Sequence, residues 1–472
     1  MIALALLFFA PLLGTPAAGA AAVSAADRPA QPDASQIAAD QLIGGALAGN
    51  GAYTRLAELT DTIGPRLTGS AGAAAAVQWA LKRFKQDGLV AHLEKVMVPH
   101  WVRGAQHAEV LASPTAAALE LSLTALGGSV GTPKGGLTAE VIEVSSFEEL
   151  HALGDRARGK IVLFQHTMST PAGYGEFTHL RHNGAVEAAK AGGVAALVRS
   201  LATASMRSPH TGTMEYADGT AKIPAAALAT EDAELLHRLL LRGPVKVHLE
   251  LGCQMLPEVE SADVVGEVRG RENPEEVVLL GAHLDSWDLA QGAIDDGAGV
   301  AAVMEAGKLI GQLRRPPRRT VRVVLFMNEE NGIDGALAYA KAHAHELNRH
   351  VAALEVDSGA GKPLALQLHS GAGGIAQLAD TMAPLAALGV TSLSEGGEGG
   401  ADIGPLGQEG VPLVSLRQDV THYFDWHHSA ADTLDKVSPH ELAETTAAVA
   451  WIAWSIAESP HALPRLPLDP KR

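Results

Sequence analysis

One cysteine in 472 residues, Cys253, leaves this chain without an intrachain disulfide and without a thiolate metal cluster. Basic residues are outnumbered, 36 Lys and Arg against 53 Asp and Glu, and the resulting net charge of −17 argues against a nucleic-acid partner. Long apolar runs are missing too. Residues 2–13 are the longest, too short to span a bilayer, and they run into Ala18-Gly19-Ala20. That pattern predicts a secretory signal peptide over residues 1–20, cut after Ala20, although no Lys or Arg precedes the apolar run. The expected location is therefore secreted or periplasmic, with no stable membrane insertion once the peptide is removed. Gly127-Gly128-Ser129-Val130-Gly131 leads into Thr132-Pro133 and not into a helical pattern, so it is no nucleophile elbow, and with no plausible Cys-His pair nothing points to a protein nucleophile. The glycine-rich run ending at Ala401-Asp402 does not open a helix as a phosphate-binding turn does, and a nucleotide site is rejected.

What remains is rich in a different chemistry. Four strand-like apolar runs, residues 277–280, 321–327, 351–356 and 411–416, each lead into carboxylates or imidazoles. The first ends in Gly281-Ala282-His283-Leu284-Asp285-Ser286, followed by Ala293-Ile294-Asp295-Asp296-Gly297 and a helical pattern over 300–313. The second ends in Asn328-Glu329-Glu330, the third in Asp357, and the fourth precedes His422-Tyr423-Phe424-Asp425-Trp426-His427-His428. In an open α/β sheet, the carboxyl edge of the strands is where ligands bind. A His supplies a neutral nitrogen ligand, and the Asp two residues after His283 is placed to orient its ring. Singly each motif is an ordinary loop; together they predict a metal site.

The same residues, with Gly64-Pro65-Arg66-Leu67-Thr68-Gly69-Ser70, Trp101-Val102-Arg103-Gly104 and Ser208-Pro209-His210-Thr211-Gly212, resemble the co-catalytic two-zinc exopeptidase family that includes aminopeptidase Y. The likeness covers nearly the whole chain after residue 20. It implies an α/β fold: a mixed sheet sandwiched by helices, with an inserted, β-rich protease-associated domain. The expected organisation is a flexible leader at 21–40, catalytic segments at 41–111 and 253–465, and the insert at 112–252. Within the insert, a helix–strand unit is expected over 184–198.

By that resemblance two zinc ions bind, with Asp295 bridging, His283 and Asp357 completing one site, and Glu330 and His428 the other. The family spacing to Asp432-Thr433 selects His428 over His427. The peptide bond between Asp295 and Asp296 is expected to be cis. Glu329 is the expected general base and Asp285 the residue that orients His283. Two cations ~3.5–4 Å apart need such anionic ligands. Asp402, Tyr423 and His427 are candidate substrate contacts, whereas His343 and His345 read as exposed helix residues. The expected substrates are dipeptides and short peptides with a free amino terminus. A true carboxypeptidase remains the alternative, because one branch of the family carries that name. The resemblance also implies a homodimer. A catalytically inactive receptor-like ectodomain is the remote alternative, and the presence of every ligand and the base speaks against it.

Overall fold

The computed structural model describes residues 34–468, apart from 115 and 205. The expected signal peptide and most of the leader fall outside the described residues. The leader's last residues do not: a helix spans Ala34–Ala48, with Ala38, Ala39 and Leu42 buried. Its alanines give it high helix propensity, and packing on the helix Pro439–Glu458 supplies the rest.

An eight-stranded mixed sheet forms the body, in the order Val90–Val102, Gln254–Val268, Arg319–Phe326, Asn273–His283, His350–Glu355, Leu413–Gln418, Pro363–His369 and Leu393–Glu395. The four central strands, from Arg319–Phe326 to Leu413–Gln418, run parallel to one another. These are the four runs expected from the sequence. Their common direction brings their carboxyl ends to one edge of the sheet.

Both faces of these strands are covered, which is why they read as continuous apolar runs rather than alternating ones. Val278 and Leu280 pack into a core with the helices Ala298–Gly311 and Pro439–Glu458. Val277 and Leu279 face the opposite core with Tyr339 and Leu406. The helix Pro439–Glu458 starts where Ser438 accepts from the Glu441 N–H, an N-cap that its sequence announces with Pro439 at the first turn. Ala298–Gly311 must approach the strand ends closely. A Cβ on Gly299 would sit 1.9 Å from the Val356 carbonyl oxygen, so no larger residue fits.

A second eight-stranded sheet is built entirely from residues between 106 and 251, with the helices Phe147–Leu153, Gly173–Lys190 and Thr230–Leu240. The expected helix–strand unit is there, ending in the strand Ala195–Arg199, but its helix begins earlier, at Gly173. Residues 173–183 carry Tyr, His and Arg on faces that sequence periodicity counts as solvent. The second unit is fixed to the first by Arg103, whose Nε lies 2.9 Å and 3.0 Å from the carboxylate oxygens of Asp288 and whose Nη1 donates to Thr124 at 2.8 Å. Trp101 and Trp287 meet edge to face beside that pair, with centroids 6.5 Å apart, and join the second unit's core. The Trp101-Val102-Arg103 segment noted in the sequence and the Trp287-Asp288 pair after Ser286 are thus the two sides of an interdomain joint.

His343 differs from expectation. It is half-buried, 2.7 Å from Glu346 and 3.0 Å from Glu94, in a polar network with Arg322. His345 is exposed.

Candidate two-metal active site

Each parallel strand delivers one part of the site. The strand Asn273–His283 ends on His283, whose Nε2 lies 3.1 Å from Asp295 Oδ1 and 3.5 Å from Asp357 Oδ1. Beyond the strand Arg319–Phe326, the turn carries Glu330, and beyond Leu413–Gln418 comes His428. His428 Nε2 stands 3.1 Å from Asp295 Oδ2 and 3.0 Å from Glu330 Oε2. Asp295 therefore turns one oxygen to each imidazole, the disposition of a bridging carboxylate. The Asp295–Asp296 peptide bond is cis, as expected.

Ligand-capable atoms of His283, Asp296 and Asp357 lie within 4.8 Å of one another, as do those of Asp295, His427 and His428. These groups hold Asp296 where the expectation has Asp295, and His427 where it has Glu330. Asp296 is already engaged: its carboxylate accepts from the His283 N–H at 3.1 Å and the Gly299 N–H at 2.9 Å, capping the helix that follows. His427 is stacked on His428, centroids 3.5 Å apart, with its Nε2 3.8 Å from Asp295. His428 is the nearer ring. The donor set fits divalent metal: three carboxylates and two imidazoles converge, and buried Asp295 Oδ2 and Glu330 Oε1 have no hydrogen-bond donor. Crowding has the matching electrostatic signature. Burial, and then Asp295, push Glu330 up to about 7. Burial, and then the charges of Asp357, Glu330 and Asp295, raise Glu329 well above the usual carboxylate range, although His283 opposes this. Bound cations would relieve both.

Much of the geometry comes from residues outside the donor cluster. Asp285 Oδ1 accepts from the N–H groups of Asn328 at 2.8 Å and Glu329 at 3.1 Å, and its Oδ2 accepts from Thr68 at 2.9 Å. Its carboxylate thus holds the Glu329–Glu330 turn. The closer partner of His283 Nδ1 is the Asp285 backbone carbonyl, at 3.1 Å, rather than the carboxylate, at 3.8 Å. Asp432 accepts from the N–H groups of Ala293 and Ile294 at 2.8 Å and 2.7 Å, fixing the approach to Asp295. Arg66 is fully buried and donates to the carbonyls of Leu284, Gly64, Gln291 and Gly292 at 2.6–3.0 Å. His428, in the left-handed region at φ 60°, is clamped from the second unit: the Thr211 N–H donates to its carbonyl at 2.8 Å, and Thr211 O lies 3.4 Å from its Nδ1. Sequence reasoning assigned no role to Arg66, Thr211 or Asp432. The first two stood only inside recognisable segments, and the third only as a landmark for His428.

A cleft of about 530 Å³ opens over the carboxylates. Glu329, Tyr423 and His427 line it as expected, and Tyr174, Thr178, Arg181 and His182 of the second unit form the facing wall. Asp402 is a correction. It is fully buried and does not line the cleft; its backbone N–H lies 3.4 Å from Glu355, and both its carboxylate oxygens lack donors. The turn from Gly399 to Ile403 folds under the sheet edge, because Glu355 also accepts from the Ile403 N–H at 3.1 Å.

Residues 263–453 match Peptidase family M28. Carboxypeptidase Q of Mus musculus is 42% identical over 418 residues, 88% of this chain and 87% of its own length. The crystal structure of a Peptidase M28 precursor from Shewanella amazonensis SB2B superposes with a TM-score of 0.89 at 39% identity, covering 92% of this chain and 99% of that one. A zinc aminopeptidase from Bacillus subtilis shares the fold, with a TM-score of 0.65 at 19% identity over 88% of this chain and 97% of its own.

Proposed function

The chain belongs to Peptidase family M28 and is a zinc metallo-exopeptidase; from that premise we propose that it holds two zinc ions and hydrolyses dipeptides and short peptides with a free amino terminus. The observation that carries this reading is the division of Asp295, with Oδ1 facing His283 and Oδ2 facing His428. His283 and Asp357 would hold one zinc, Glu330 and His428 the other, and Asp295 both. When bound, zinc polarises the scissile carbonyl and lowers the pKa of water toward ~7.

The chain's own groups perform the rest. Glu329 borders the cleft beside Glu330 and takes the proton from the attacking water. It then returns that proton to the leaving amine. Asp285 fixes the turn on which the base stands, through the Asn328 and Glu329 N–H groups. The insert wall excludes water from the reacting bond and limits how long a peptide can enter. The second unit, whose sheet starts at Gln106 rather than after residue 111 as the sequence suggested, would be the protease-associated insert. A signal peptide over 1–20 would deliver the enzyme outside the cytoplasm, and a homodimer follows from the resemblance alone.

Product analysis on a small peptide panel with either end blocked tests the direction of attack. Free dipeptides should be cleaved and N-acetylated peptides spared. C-terminal release from an acetylated peptide at the rate of the free one would make this a true carboxypeptidase.

A further inference from the structure

The five expected donors are not held alike. His283 closes a strand of the parallel sheet, Asp357 follows another, Asp285 holds the Glu330 turn, and Asp432 fixes the approach to Asp295. All of these supports belong to the catalytic unit. His428 instead follows a single short helical turn, Tyr423–Trp426. Among the described residues, only two backbone hydrogen bonds reach residues 422–428 from more than four positions away. Both come from the second unit: the Thr203 N–H donates to the Phe424 carbonyl at 3.2 Å, and the Thr211 N–H to the His428 carbonyl at 2.8 Å.

Side chains complete the grip. The Thr203 hydroxyl donates to Asp425 Oδ1 at 2.5 Å, and Asp425 Oδ2 lies 2.8 Å from His422 Nδ1 within the turn. Tyr174 of the second unit stacks on Phe424, centroids 4.7 Å apart. The gripping loop is itself fixed at its root. The Ser200 hydroxyl donates to the Leu228 carbonyl at 2.6 Å and accepts from the His210 N–H at 2.9 Å, which ties both ends of residues 200–210 to the strand Ala225–Leu228. A hydroxyl on a carboxylate makes a short, directional bond, and partners that orient a ligand from outside govern metal affinity. We infer that Asp425 is a positioning residue: held by Thr203, it lets the second unit set the place of His428, and so the affinity of the Glu330–His428 metal position alone. The inference rests on the two-zinc reading and deepens it. The His283–Asp357 position has no such dependence, because both of its own donors stand at strand ends of the catalytic sheet.

The test is a calorimetric zinc titration of the chelator-stripped chain, on wild type, Thr203→Val, Thr203→Ser and Asp425→Ala. Wild type should bind two equivalents. Thr203→Val keeps the side chain's shape and removes the donor; it should weaken one of the two affinities about ten- to a hundredfold and leave the other unchanged. Thr203→Ser, which restores the hydroxyl, should recover most of that loss. Asp425→Ala should weaken the same position at least as far, and adding Thr203→Val to it should cost nothing more, because both act through one bond. In a His428→Ala background, where that position is already lost, Thr203→Val should change nothing. Thr203 is only half-buried, so neither of its substitutions empties a core. Equal weakening of both positions would reduce the contact to general scaffolding and overturn the inference, as would unchanged affinities in Thr203→Val. A wild type that binds a single zinc would refute the two-zinc reading, and the inference with it.

Discussion

Replacing Arg66 by Met should disrupt the site without touching a ligand. Arg66 is fully buried, and its Nε, Nη1 and Nη2 donate to the carbonyls of Leu284, Gly64, Gln291 and Gly292. Leu284, Gln291 and Gly292 belong to the His283–Asp295 loop, and Gly64 to the segment that carries Arg66 itself. Met keeps the apolar stem and removes all of these bonds. Each carbonyl left without its donor costs about 1–3 kcal/mol, but water entry and relaxation keep the total below the simple sum. The loss also removes positive charge beside Asp432, Asp285, Asp296 and Asp295, which together favour the charged guanidinium against burial. A loss of about 3–5 kcal/mol is expected, as for breaking a buried charged network. That corresponds to a fall of about 5–15 °C in Tm for a domain of this size. Thermal unfolding with and without added zinc measures it, and a zinc titration should give weakened binding in the same variant. Arg66→Lys should recover little, because an ammonium cannot fork across separated carbonyls. A loss under about 1 kcal/mol with unchanged zinc affinity would refute the clamp.

Other perturbations separate ligand, base and scaffold. Glu329→Gln should retain zinc while kcat falls at least ~10²-fold, and a variant keeping most of its kcat would remove Glu329 from the base role. Asp295→Ala should lose zinc from both positions, measured by metal analysis after gel filtration; retention of both ions would contradict the bridge. His166 is held down to about 4 by burial first and then by Arg199, so unfolding to the ordinary 6.5 takes up a proton between those values. Its contribution to stability is therefore present above about pH 6.5 and lost as pH falls toward 4. His166→Phe, which can stack on Phe177, should flatten the pH dependence of Tm in that window; an unchanged slope would remove His166 as its source. Sedimentation at micromolar concentration checks the homodimer, which a monomer mass would exclude.

The metal-bearing half of this molecule was legible because its physics is local. A parallel strand buried on both faces is a short apolar run, and His283, Glu330 and Asp357 lie just at or beyond the ends of three such runs. What stayed hidden acts across long sequence separations and through backbone atoms. Thr211 reaches His428 from 217 residues away by its carbonyl and N–H, which any residue carries. Arg66 likewise acts on carbonyls more than 200 residues distant. Asp402 was misjudged because a glycine-rich turn can pass over a cleft or beneath a sheet edge, and only the Glu355 contacts decide which. The first turns of Gly173–Lys190 were missed because their polar and aromatic residues face the cleft, where helical periodicity serves the site instead of the core.

The most direct measurement is a zinc titration of chelator-stripped enzyme, following amino-acid release from a free dipeptide. Activity should be absent at the start and reach its plateau at two equivalents of zinc per chain, with the N-acetylated peptide uncut throughout. Full activity in the stripped enzyme, or a plateau at one equivalent, would contradict a site in which Asp295 joins two metals.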